Sequence, residues 1–331
     1  MDILATFFEF SRTPVSMCTA GILVFLLALW ADKADIARAS GLDKIVALNN
    51  LCFAIPLAVF GALHLAGVDF VLPLVPSYMP WRLFWAYFVG CALLAASLSI
   101  ATKIQVRWSG LLFGIMMFLF VGMLMIPGAL ATPRDRIAWT IVIRESSFAG
   151  GGWILAGNAM RGHGKGRFVI VNRLFIDIGP LFITVGRVLI AIAAIFYGVE
   201  HFLHPANVPG VPLEKMTPTW IPGRLLIDYL TGAILLVAGV SILLYKKTRM
   251  GATYLGTWIV LLVLFIYGPI LIVSLLDPST AVKVEGINYF ADTLLFAGTI
   301  LALASAMPPT VGGPPSELSA TRNTAITPTL V

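Results

Sequence analysis

Apolar residues in this chain come in long continuous runs and do not alternate with polar ones. Such runs fall at roughly 14–31, 45–66, 81–102, 108–131, 137–160, 180–203, 223–245, 250–276 and 286–306, each broken by few or no charges. At 1.5 Å per residue, about twenty residues of helix cross a hydrocarbon core of about 30 Å. A membrane barrel would instead show short segments of period two. The pattern predicts an all-α polytopic membrane protein with about nine transmembrane helices. The first run lacks a basic stretch before it and a small-x-small cleavage pattern after it, so it reads as a retained span. Asp32–Lys44 reads as a polar loop, 161–179 as a basic linker, and 307–331 as a Pro-, Gly-, Ser- and Thr-rich disordered tail.

Composition sharpens the class. Hydrophobic residues make up 59% and charged residues 11%, with a mean hydropathy of +0.94, well outside the range of soluble domains. The formal net charge of +6 is scattered over short loops, so it signals membrane orientation and not a nucleic-acid surface. Counted over alternate loops, thirteen Lys and Arg lie on one side and seven on the other. The positive-inside rule then places the N-terminus outside, the C-terminus in the cytoplasm and the proline-rich loops outside. Cys18, Cys52 and Cys91 stand alone in apolar sequence, and without a C-x-x-C pair they predict no metal centre or dithiol.

Comparing the chain with itself reveals a repeat. An offset of 142 superposes Pro76 on Pro218, Pro80 on Pro222, Arg82 on Arg224, Tyr87 on Tyr229, Gly90 on Gly232, Arg107 on Arg249 and Pro127 on Pro269. Upstream the offset is 137, where Gly61 meets Gly198 and His64 meets His201. This predicts a lead and extra span over 1–44, then two four-helix units over 45–160 and 180–306. Four spans per unit make the copies parallel, unlike the inverted repeats of many transporters.

The second unit carries Gly198-Val199-Glu200-His201-Phe202-Leu203-His204-Pro205 and, further on, Pro218-Thr219-Trp220-Ile221-Pro222-Gly223-Arg224. A span ending in G-x-x-H-F-x-x-P before a proline-rich loop resembles the DoxX/DoxD-like integral membrane proteins. The first unit departs from that pattern: Leu63 stands where the second has Glu200, and its loop is shorter. The resemblance implies a bacterial or archaeal plasma-membrane protein, in some members a subunit of a quinone-linked or thiol-linked redox system.

Ionisable groups inside spans are expensive and mark function by default. Glu200, His201, Arg224, Asp228 and Asp292, with Tyr197 and Trp220, are expected at similar depth in the second unit, forming an outward-facing polar pocket. A sparser counterpart in the first unit is His64, Arg82, Arg144 and Glu145. One reading makes these helix-end pairs, including Arg224 with Asp228 at i,i+4. Another makes them a site for a quinone or small apolar ligand, since a histidine or carboxylate can take a quinol proton. Haem ligation by His64 and His201 is disfavoured, because a bis-histidine site needs facing helices and only these two histidines lie in spans. The chain carries no self-contained catalytic motif. An accessory role beside a soluble or membrane redox partner is expected; the rivals are a small-solute permease and an assembly subunit without ligand.

Overall fold

The computed structural model describes residues 12–161 and 169–308. The lead before Arg12, the Gly-rich basic stretch 162–168 and the tail beyond 308 lie outside the described residues. Nine long helices occur among the described residues: α1 (Arg12–Arg38), α2 (Asn49–Ala66), α3 (Arg82–Thr102), α4 (Val106–Ala131), α5 (Arg136–Arg161), α6 (Val169–Leu203), α7 (Arg224–Leu243), α8 (Thr248–Leu276) and α9 (Thr280–Ala306). Eight are long and apolar enough to cross a membrane. The exception is α5, of comparable length but interrupted by Arg144 and Glu145. Among the described residues the β-structure is limited to one bridge, between Asn207 and Met216.

Two expected loops are partly helical. The linker predicted over 161–179 gives way to helix at Val169, because the stretch after it is apolar. Likewise α1 runs past 31 through Asp32 to Arg38. Asp32 is buried there, 2.6 Å from Lys103 Nζ, which also contacts Asp35. Desolvation lowers the Lys103 pKa, but the two carboxylates outweigh it and hold this pKa above its ordinary value.

Packing places α5 and α9 in the interior. α5 lies against α4, α6 and α9, while α9 also packs on α2 and α8. The three successive glycines of α5 explain how. At about 100° per residue they point in three directions. A Cβ on Gly150 would lie 3.0 Å from Gly186 Cα in α6, one on Gly151 would lie 2.3 Å from Thr299 of α9, and one on Gly152 would lie 2.8 Å from the Gly110 carbonyl of α4. In lipid, helices associate by such close approach, since apolar burial alone gives no preference over lipid tails. The peripheral helices turn large apolar side chains outward, among them Leu226, Val237 and Phe265. Exposed aromatics collect at both ends, Tyr78, Trp81 and Trp220 at one and Trp30, Trp108 and Tyr245 at the other, as at two membrane–water interfaces.

An offset of 142 also recurs in the local geometry. A π-helical segment interrupts α4 at Val121–Met125 and α8 at Val263–Tyr267, each just before a proline (Pro127, Pro269) that cannot donate to the preceding turn. Left-handed backbone occurs at Trp81 and Gly223, at Lys103 and Tyr245, and at Gln105 and Lys247. Arg82 donates to the Val75 carbonyl at 2.8 Å and Arg224 to that of Thr217 at 3.2 Å. His64 packs its Cβ on Gly90, and His201 packs its own on Gly232.

If close glycine contact holds α5 in place, Gly110→Ala is expected to cost about 1–3 kcal/mol, the range for overpacking. Its Cβ would sit 2.5 Å from the Gly152 carbonyl, and backbone cannot step aside cheaply. Gly128→Ala, where nothing lies within 4 Å, is expected to be neutral or slightly stabilising. Thermal unfolding of both variants in detergent checks this; equal midpoints would remove the glycine contact as the cause.

Candidate functional site

The loop after α6 turns back into the protein. Asn207 to Pro212 are six consecutive buried residues, so the loop is a plug seated in the end of the bundle. Five helices hold it. The Gly210 N–H donates to His201 Nε2 of α6 at 3.0 Å, and Tyr267 of α8 donates to the Pro209 carbonyl at 3.0 Å. Arg136 of α5 donates to the Pro212 carbonyl at 2.8 Å, Arg224 of α7 to that of Thr217, and the Lys215 N–H to Tyr289 Oη of α9 at 3.3 Å. Gly210 has φ +116°, a conformation other residues rarely adopt.

His201 and Asp228 are both 0% exposed, with Nδ1 2.8 Å from Oδ1. Because Nε2 accepts from Gly210, the ring proton resides on Nδ1 and faces the carboxylate. Beyond that contact, neither Asp228 oxygen meets a hydrogen-bond donor among the described residues. Nε2 thus meets the loop, while Nδ1 lies against the Asp228 carboxylate. The pair is an anchor for the plug.

A second cluster lies deeper. Arg144 stands two turns into α5 from Arg136, about 12 Å along the axis. Its Nη1 is 2.8 Å from Asp292 Oδ2 of α9, and its Nη2 is 2.7 Å from Glu145 Oε1. Tyr197 of α6 lies within electrostatic range of all three, is 0% exposed, and its hydroxyl has no partner among the described residues. One cation thus pairs with two carboxylates, with an unspent hydroxyl within electrostatic range. Glu200 does not join them: it pairs with Arg136 at 3.1 Å, with His204 3.9 Å away.

The expected residues therefore sort into two groups and a remainder. His201 and Asp228 meet; Asp292, Tyr197, Arg144 and Glu145 meet. Arg224 binds a carbonyl of its own loop and forms no ion pair with Asp228, contrary to the i,i+4 pairing considered above. Trp220 is 52% exposed, and Arg82 binds the Val75 and Leu72 carbonyls. His64 Nδ1 contacts the Phe60 carbonyl one turn back. So Arg144 and Glu145, expected in a first-unit site, lie with second-unit residues. Arg136 and Tyr267 went unrecognised as site residues. Arg136 reads as a loop charge, yet its i,i+8 spacing to Arg144 places both on one helix face. The buried loop residues 207–212 lie at the end where an outward pocket was expected, and a cavity of about 540 Å³ lies at the opposite end.

No protein family, curated protein or solved structure matches the chain.

His201→Ala should leave the Asp228 carboxylate buried and unpaired, a loss of about 3–5 kcal/mol for broken buried pairs. Asp228→Asn should be milder, because its amide oxygen can still face Nδ1–H. Thermal melts together with amide hydrogen exchange over 207–212 test this. Unchanged melting and unchanged protection in His201→Ala would refute the anchor.

Proposed function

We propose that the chain is an internally duplicated, DoxX-like integral membrane protein that binds a quinone headgroup or similar small apolar ligand at the Arg144–Glu145–Asp292–Tyr197 centre. In this reading it supports a quinone- or thiol-linked redox system as a non-catalytic accessory subunit. Paired π segments, paired left-handed residues and paired arginine–carbonyl contacts at one offset support the duplication. The excess of Lys and Arg in loops at the end opposite the plug supports a plasma-membrane orientation with the plug outside.

The observation that carries the ligand reading is the buried Tyr197 hydroxyl, without an acceptor among the described residues, within electrostatic range of carboxylates that can take a proton. A buried donor left unsatisfied is costly, and a quinone carbonyl would satisfy it. Access requires the plug to lift or the ligand to enter between helices, since the plug closes this end. A permease is the second reading, favoured by the cavity at the far end. Phe53, Phe148 and Phe296, all essentially buried, pack the interior between the ends, so a through-path would need them to move.

Gentle purification followed by mass spectrometry of co-purified small molecules is expected to find quinone in the wild type. Tyr197→Phe and Asp292→Asn should lose it by about tenfold or more, as for a lost hydrogen bond to a charged or buried group. Retention of quinone by both variants, or its absence from the wild type, would remove the ligand reading. Solute flux in proteoliposomes without bound quinone would favour the permease.

A further inference from the structure

The end opposite the plug carries a different chemistry. A cavity of about 540 Å³ opens between the last turns of α1, α5 and α9, the start of α2, and the first turns of α4 and α8. That volume suits a small organic ligand or a lipid headgroup. Its lining includes three cations, Lys103, Arg107 and Arg249, and two carboxylates, Asp35 and Asp43.

Both carboxylates are already neutralised. Asp43 lies 2.7 Å from Arg249 Nη2, and Asp35 contacts Lys103 and lies 2.9 Å from Arg38. Arg249 is further occupied by the Ala304 and Met307 carbonyls, each at 3.1 Å. Lys103 is held between Asp32 and Asp35. Arg107 differs from both. Its guanidinium carbon lies 5.7 Å from the Trp108 ring centroid, and among the described residues it forms no ion pair with a carboxylate and its buried Nε has no acceptor. Asn50, Asn158 and Gln105 line the same cavity with neutral amide groups.

The cavity therefore offers one guanidinium whose Nε has no acceptor among the described residues, amides around it, and no uncompensated carboxylate to repel an anion. A guanidinium fork matches phosphate oxygens in geometry and charge. Basic pockets between transmembrane helices on the positively charged side of a membrane protein are suited to phosphate headgroups. We propose that this cavity binds a phosphate group, borne by an anionic phospholipid or by a soluble phosphorylated compound, with Arg107 as its principal ligand.

The test uses the full chain in nanodiscs and two probes. Native mass spectrometry reads retention of phosphatidylglycerol over phosphatidylcholine, and titration with inorganic pyrophosphate in zwitterionic nanodiscs reads tryptophan fluorescence beside Arg107. Arg107→Gln is expected to weaken binding about tenfold, as for a lost charge-assisted hydrogen bond, while Arg134→Gln at the plug end leaves it unchanged. Arg107→Lys, which keeps the charge and loses the fork, should fall between, with an unaltered melting temperature. Selective retention of the lipid alone identifies a headgroup site; response to pyrophosphate alone identifies a soluble ligand; response to both supports the shared chemistry. Binding of neither probe by the wild type overturns the proposal. So does equal binding by the wild type and both Arg107 variants.

Discussion

A helix that carries Arg144 and Glu145 cannot lie against lipid. In hydrocarbon, each charge must find its partner within the protein or not be there at all. That requirement forces α5 inside, and the rest of the packing follows from it. Surrounding a polar helix with protein on several sides needs close neighbours, which is what Gly150, Gly151 and Gly152 permit toward α6, α9 and α4. Asp292 can then reach Arg144 only because α9 crosses directly beside α5. The ion cluster and the glycine spine are two aspects of one constraint.

The same constraint gives the two ends different characters. At one end, an irregular backbone segment is buried, and irregular backbone at depth survives only when each polar group is met by protein. Tyr267, Arg136, His201 and Tyr289 supply those partners from four helices. At the other end, polar groups line an open space, where the two carboxylates Asp35 and Asp43 pair with Lys103 and Arg249. The plug end is a closed polar structure; the far end is an open one.

Membrane class, helix positions and most helix boundaries were legible in the sequence, because a hydrocarbon core imposes a length and a composition that any chain must show. Which helices touch was not. Nothing in a run of apolar residues says that Arg144 belongs with Asp292, 148 positions away. Local sequence suggested Arg224 with Asp228 instead, a sound expectation for an isolated helix, but Arg224 sits in the first turn and finds a nearer carbonyl acceptor in its own loop. The plug was equally hidden. Prolines and glycine mark a turn, yet burial of Asn207 to Pro212 depends on partners contributed by distant helices.

On the duplication reading, the two halves show what the plug requires. His64 and His201 occupy the same notch against a glycine, but His64 contacts a carbonyl of its own helix while His201 reaches a different loop. At the offset of 142, Asp228 corresponds to Ala86, itself fully buried. A carboxylate at Ala86 without a histidine turned toward it would be an unpaired buried charge. Turning His201 toward Asp228 without a loop long enough to place Gly210 would leave Nε2 unsatisfied. The histidine rotation, the carboxylate and the longer loop are stable only together, since each alone leaves a buried polar group unmet. That is why the plug is present in one half as a complete unit, while the other keeps the apolar version of the same frame.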